Sequence, residues 1–143
     1  KYFNRFSGVK KYMDDIIEKA KEDGFVTTIF NRRRYIPELK SRNYHRRSFA
    51  RRTAINTPIQ GTAADIMKKA MIRVHNRLQE EKYKVKIILQ VHDELVFEVE
   101  NDKLKEISFI VKKEMEEAVK LDVPLIVDLK VGQNWRDLED MKI

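Results

Sequence analysis

The sequence predicts an α+β fold, an antiparallel sheet backed by helices. Three observations carry that prediction. Apolar residues recur at spacings of three and four in several long stretches. Between them lie runs that alternate apolar and polar, paired across short polar turns. The resulting order is helix, hairpin, helix, long helix, hairpin, helix, strand, in which neighbouring strands are joined too tightly to run parallel. At 143 residues and 42% hydrophobic content the chain has the size of one ordinary domain and enough apolar mass for a core.

In order along the chain, Val9, Tyr12, Met13, Ile16, Ile17 and Ala20 make residues 8–23 an amphipathic helix, with Gly24 as its stop. Phe25 to Phe30 is β-branched and aromatic. Tyr35-Ile36 answers it across a turn at Asn31-Arg32, and Pro37 closes the hairpin. Residues 43–53 form a basic helix. Thr57-Pro58-Ile59-Gln60 then reads as a fresh helix start: Thr57 as cap, Pro58 at the first position, Gln60 completing a capping box. Ile59, Ala63, Met67, Ala70, Met71, Val74 and Leu78 give that helix one apolar face to about residue 81. Val85, Ile87, Leu89 and Val91 share one face of a strand, and Leu95, Phe97 and Val99 repeat the pattern after a gap at His92-Asp93-Glu94. Leu104, Ile107, Val111, Met115, Ala118 and Val119 mark a further helix. Leu125, Val127, Leu129 and Val131 mark a last strand before Gly132.

Composition removes many function classes. There is no cysteine, so no disulfide framework, thiolate metal site or thiol nucleophile. The apolar runs are too short to span a membrane. Gly-rich phosphate loops and the G-x-S-x-G and H-E-x-x-H motifs are absent, and His45, His75 and His92 are too scattered to propose a zinc site. The formal charge of +7 is unevenly placed: residues 1–56 hold 15 basic and 6 acidic side chains, residues 57–143 hold 15 and 17. Between Arg32 and Arg52 lie nine basic residues, eight of them arginine, against Glu38 alone. Arginine grips phosphate oxygens in bidentate fashion, so this segment reads as a polyanion-binding face or, more plainly, as a solvated basic one.

The remaining chemical candidate is the hairpin tip. Two adjacent carboxylates, Asp93 and Glu94, on rigid flanking strands offer hard oxygen ligands suited to Mg²⁺. Acidic residues at turns are also commonly just solvated. Gln60 likewise has two readings, a capping amide or an amide able to contact nucleic-acid edges.

At these residues a family resemblance emerges. Arg52-Thr53-Ala54-Ile55-Asn56-Thr57-Pro58-Ile59-Gln60-Gly61-Thr62-Ala63-Ala64-Asp65 resembles the segment before the last active-site motif of family A DNA polymerases, and Val91-His92-Asp93-Glu94-Leu95-Val96 resembles that motif. Asn31-Arg32-Arg33-Arg34-Tyr35-Ile36-Pro37 is similar to the upstream basic hairpin, and Gly132-Gln133-Asn134-Trp135 to the end of such chains. The likeness runs from Lys1 to Trp135. It departs at Arg51, where many relatives are acidic, and at Asn31, where many have glycine.

The resemblance implies a palm sheet carrying the His92-Asp93-Glu94 turn, with residues 1–45 ending the fingers and residues 46–143 completing the palm. It implies that Asp93 holds the catalytic Mg²⁺ ions, two in the complete enzyme, that Glu94 supports the site, and that His92 lies near the primer end. Arg52, Asn56 and Gln60 match positions that touch primer–template DNA, and Arg32, Arg33 and Arg34 add a basic DNA-binding hairpin. A D-Y-S-x-I-E-like motif with the second metal aspartate, and the nucleotide-binding fingers helix, are expected upstream of Lys1. The palm sheet is therefore expected to be incomplete, and the 143 residues alone to be inactive with primer and dNTP. The missing segments would sit in the same polypeptide or in a partner chain. The implied setting is cytoplasmic, without a membrane partner. The rival reading is a non-catalytic basic nucleic-acid-binding module.

Overall fold

The computed structural model describes residues 2–143. The chain divides into two compact units, residues 1–65 and 66–143, each with its own hydrophobic cluster. The predicted class holds: helices accompany three two-stranded antiparallel ribbons. No helix among the described residues is long and apolar enough to cross a membrane.

In the first unit, α1 (Tyr2–Arg5) leads into α2 (Ser7–Asp23), which Gly24 ends in a left-handed conformation at φ 82°. The Gly24 N–H donates to the Ala20 carbonyl, the glycine stop that the sequence predicts. Of the apolar stripe on α2, Ile17 and Ala20 are buried, whereas Val9 and Tyr12 stay exposed. Strand β1 (Phe25–Thr27) pairs with β2 (Arg33–Tyr35), Val26 opposite Arg34. The first strand is thus shorter than the predicted Phe25–Phe30, and its turn is wider than Asn31-Arg32. Thr28 is the cause: its buried hydroxyl accepts the Phe30 and Arg32 N–H groups, offering the backbone a local alternative to the ladder. Asn31 completes the turn at φ 62°, a conformation asparagine tolerates well. Pro37 opens a 3₁₀ turn, Pro37–Lys40, that buries Leu39. The core gathers Ala20, Val26, Ile36, Leu39, Ala50 and Ala54.

Helix α3 (Tyr44–Glu80) corrects the prediction of two helices. It starts where expected, with the Asn43 side chain accepting the Arg46 N–H as an N-cap. It then runs through Pro58 without a break, and Thr57 and Gln60 form no capping box. An interior proline costs roughly 3 kcal/mol by removing one hydrogen bond and crowding the preceding turn. Burial outweighs that cost, because Ala50, Ala54 and Thr57 before or beside the proline and Met67, Ala70, Val74 and Leu78 after it are all buried. The helix ends near the predicted residue 81. There Lys82 takes φ 59°, and the Lys82 and Tyr83 N–H groups donate to the Gln79 and Leu78 carbonyls. This is a Schellman closure with lysine in the glycine position.

In the second unit, β3 (Lys86–Val91) pairs antiparallel with β4 (Glu94–Glu98). A 3₁₀ turn, Asn101–Lys103, enters α4 (Leu104–Glu116). The C-terminal half of α3 and α4 bury Met67, Ala70, Val74, Leu78, Ile107, Val111 and Met115, with Leu95, Phe97 and Val99 of the hairpin packed against them. The predicted strand Leu125–Val131 forms a ladder only over β5 (Leu129–Val131). Ahead of it, α4 substitutes for a neighbouring strand: Lys112 donates to the Val127 carbonyl and Glu116 accepts the Val127 N–H at 3.0 Å. β5 pairs with an unforeseen β6 (Glu139–Met141). Asn134 shapes their loop by accepting the Arg136 and Asp137 N–H groups. Gly132 is required there, since a Cβ would lie 2.1 Å from the Asp137 carbonyl oxygen.

Candidate metal turn and nucleic-acid face

The acidic tip of the second hairpin is tighter than its sequence implies. Val91 pairs with Glu94, so only His92 and Asp93 form the turn, and Glu94 is the first residue of β4. His92 adopts φ 51°, a left-handed conformation that costs an L-residue of this size roughly 1–2 kcal/mol. The Gln90 amide braces the bend by donating to the His92 carbonyl at 2.9 Å. His92, Asp93 and Glu94 are all exposed.

The predicted shared face of Val85, Ile87, Leu89 and Val91 does not survive in β3. The pairing register shifts between Ile87 and Leu89, leaving Ile88 as an inserted residue. Ile87 still stands opposite core-facing Phe97. Beyond the bulge it is Gln90 that stands opposite Leu95, while Leu89 stands opposite Val96. One extra residue therefore turns Leu89 and Val91 to the other face and re-aims the tip. Leu89 is 41% exposed as a result.

Among the described residues no three His, Asp or Glu side chains come together as a cation cage. Asp93 and Glu94 offer hard oxygen donors of the right kind for Mg²⁺, but only part of a coordination shell. The shifted ionisable groups lie in the scaffold instead. Tyr83 donates to Glu106, which pushes the phenol up to about 12; the same bond, with help from Lys103, holds the Glu106 carboxyl below its ordinary value. Lys112, then the Val127 N–H, likewise lower Glu116.

In the first unit, Arg52, Asn56 and Gln60 recur every four residues along α3 and are exposed, on the side away from buried Ala50 and Ala54. Phe49, 61% exposed, lies among them. The three consecutive arginines of the first hairpin fall into three different settings. Arg32 is tied down: its Nε donates to Asp65 Oδ1 at 2.8 Å and its Nη2 to the Gly61 carbonyl at 3.0 Å. The Arg33 guanidinium lies 4.7 Å from the centre of the Phe25 ring. Arg34 is exposed on β2. Sequence reasoning gave Asp65 and Gly61 no role. The available signal was a glycine inside a helical pattern, which often marks a close approach of another chain segment.

Comparison with known proteins follows the same lines. A family model described as DNA polymerase family A matches residues 1–137. DNA polymerase I of Bacillus subtilis (strain 168) is 53% identical over 137 residues, covering 96% of this chain and 16% of that protein. DNA polymerase I of Geobacillus stearothermophilus is also 53% identical, with the same coverage. Among solved structures, the POL domain of Pol1 from M. smegmatis, in complex with DNA primer-template and dNTP, superposes with a TM-score of 0.84 at 48% identity, covering 87% of this chain and 22% of that one. The chain thus spans about one sixth of the length of the curated relatives it matches. On the match over residues 1–137, the chain belongs to DNA polymerase family A.

Proposed function

We propose that this chain serves template-directed DNA synthesis: nucleotidyl transfer from a dNTP to a primer 3′-hydroxyl, as part of a larger DNA polymerase I. The observation that carries the reading is the exposed His92-Asp93 turn, rigidly paired on both sides, in a chain of this family. Residues 1–45 would end the fingers and residues 46–143 would complete the palm, in a cytoplasmic enzyme. Asp93 and Glu94 would hold divalent cations through their exposed carboxylates. Two Mg²⁺ ions, when bound, supply activation of the 3′-hydroxyl and neutralisation of the triphosphate. The remaining carboxylates would come from the D-Y-S-x-I-E-like motif, in the same polypeptide or a partner chain. His92 would stand beside the primer end, its carbonyl fixed by Gln90. Arg52 would take a backbone phosphate, and the Asn56 and Gln60 amides, each both donor and acceptor, would touch the primer–template. Arg33 and Arg34 would add phosphate contacts that weaken as salt rises.

The test exchanges this chain for the matching segment of Bacillus subtilis DNA polymerase I. The exchanged enzyme should extend a primer, and Asp93→Ala should abolish extension while changing DNA affinity only modestly. Extension that survives Asp93→Ala contradicts the proposal and leaves a non-catalytic nucleic-acid-binding module.

A further inference from the structure

The first hairpin docks on α3 through a compact set of polar contacts at three neighbouring helix positions. The Arg32 guanidinium bridges Asp65 Oδ1 and the Gly61 carbonyl. The Thr62 hydroxyl accepts the Ile29 N–H at 3.2 Å. At Gly61 the turn lies close: a Cβ there would sit 2.8 Å from Thr28 Cγ2 and 3.4 Å from Arg32 Nη2. The two charged partners differ in exposure, with the Arg32 side chain at 51% and that of Asp65 at 11%. The largely buried Asp65 carboxylate and the Gly61 carbonyl together hold the Arg32 guanidinium against the helix, so taking up a phosphate would require Arg32 to give up both bonds.

From this geometry we infer that Arg32 is a positioning residue rather than a phosphate contact. With Asp65 and Gly61 it clamps the basic hairpin to the helix segment that carries Asn56 and Gln60. The inference rests on the proposed DNA-binding role of that face, and it separates Arg32 from its neighbours Arg33 and Arg34. The clamp fixes where Arg34 stands relative to the Arg52, Asn56 and Gln60 stripe. DNA affinity should then depend on Asp65, an acidic residue, in the sense opposite to simple charge.

The test measures binding of the full chain to a primer–template oligonucleotide duplex across a salt series, for Arg32→Ala, Asp65→Ala, their double variant, Arg32→Lys and Arg34→Ala. Asp65→Ala should weaken binding several-fold, as much as Arg32→Ala. The double variant should be no weaker than either single one, because both remove the same clamp. Arg32→Lys should restore part of the affinity, keeping the carboxylate contact without the forked bond to Gly61. The slope of log affinity against log salt should stay at the wild-type value in Asp65→Ala and fall by about one in Arg34→Ala. Amide exchange, read without DNA, should speed up at Ile29 and Arg32 in both clamp variants. The inference is overturned if Asp65→Ala leaves binding unchanged or tightens it while Arg32→Ala lowers the salt slope. It is also overturned if Ile29 stays protected in both variants. A wild-type chain that fails to bind the duplex sinks the DNA-binding reading, and amide exchange still decides the clamp.

Discussion

The two hairpins make opposite use of their tips. In the first, the turn from Thr28 to Arg32 folds inward: the Thr28 hydroxyl gathers backbone N–H groups, and Arg32 is bonded to Asp65 and Gly61. In the second, the turn is reduced to His92 and Asp93, the backbone carries positive φ, and the charged side chains point into solvent. A tip that spends its charge on the protein is scaffold. A tip that holds charge out on a braced, strained turn is available for a ligand. Charge clusters in the sequence do not make this distinction, because it depends on partners more than thirty residues away, as Arg32 and Asp65 are.

The strongest way to break the comparison is to dissolve the support of one hairpin and ask whether the other survives. Ile107 is 1% exposed in the cluster against which Leu95, Phe97 and Val99 pack. Ile107→Ala should cost about 2–5 kcal/mol, from lost burial and the cavity left behind. Amide exchange should then rise across β3 and β4 while β1 and β2 keep their protection, since the clusters of the two units share no residue. Next in size is Gly61→Ala. The added methyl presses on Thr28 Cγ2, an overpacking cost of about 1–3 kcal/mol that exceeds the gain of about 1 kcal/mol from helix propensity. Chemical denaturation should show net loss, with faster exchange at Ile29.

A smaller effect separates the two positive-φ turn residues. His92→Gly should relieve strain and raise stability by about 1 kcal/mol. Asn31→Gly should change it by less, because asparagine already tolerates this region. Equal shifts in the two denaturation midpoints would show that the second tip stores no special strain. The smallest effect is on pH. The Tyr83 phenol is raised when folded, so its bond to Glu106 stabilises fully below the ordinary value of 10.0 and is lost as pH climbs through about 12. Glu106 and Glu116 are lowered when folded, so their contribution is complete above the ordinary value of 4.5 and disappears as pH falls through their depressed folded values. Glu106 and Glu116 belong to the second unit, so amide exchange at acid pH should show loosening of α4 against Tyr83 and Val127 before any change in β1 and β2. At alkaline pH the first unit responds as well, because burial also raises the Tyr12 phenol on α2.

Where local pattern and tertiary packing agree, the sequence was sufficient. The periodicity of α2 and α4, the stop at Gly24 and the strand pairs flanking His92-Asp93 are all legible because each is fixed by near neighbours. The failures share one physical cause. Pro58 signals a helix start locally, and burial on both sides overrides it. Alternation in Val85–Val91 assumes a regular ladder, which the extra residue at Ile88 breaks. β6 is acidic and short, and only the turn residues Gly132 and Asn134 hint at it. At the candidate site, the motif picked out Asp93, Glu94, Arg52, Asn56 and Gln60. The separate fates of Arg32, Arg33 and Arg34 were invisible, because Gly61, Asp65 and Phe25 decide them through space.

Under the proposed function, the second tip would present the Asp93 and Glu94 carboxylates to a divalent cation. Among the described residues, neither Asp93 nor Glu94 is paired with a cationic side chain, whereas Lys10 neutralises Asp14 and Lys112 neutralises Glu116. Titrating the chain with Mn²⁺ and following paramagnetic broadening of backbone amide signals tests this directly. The amides of His92, Asp93 and Glu94 should broaden first, at millimolar metal, and Asp93→Asn should remove the effect. Broadening that starts at Asp14-Asp15 or at Glu116-Glu117, or that persists at the tip in Asp93→Asn, would contradict the account.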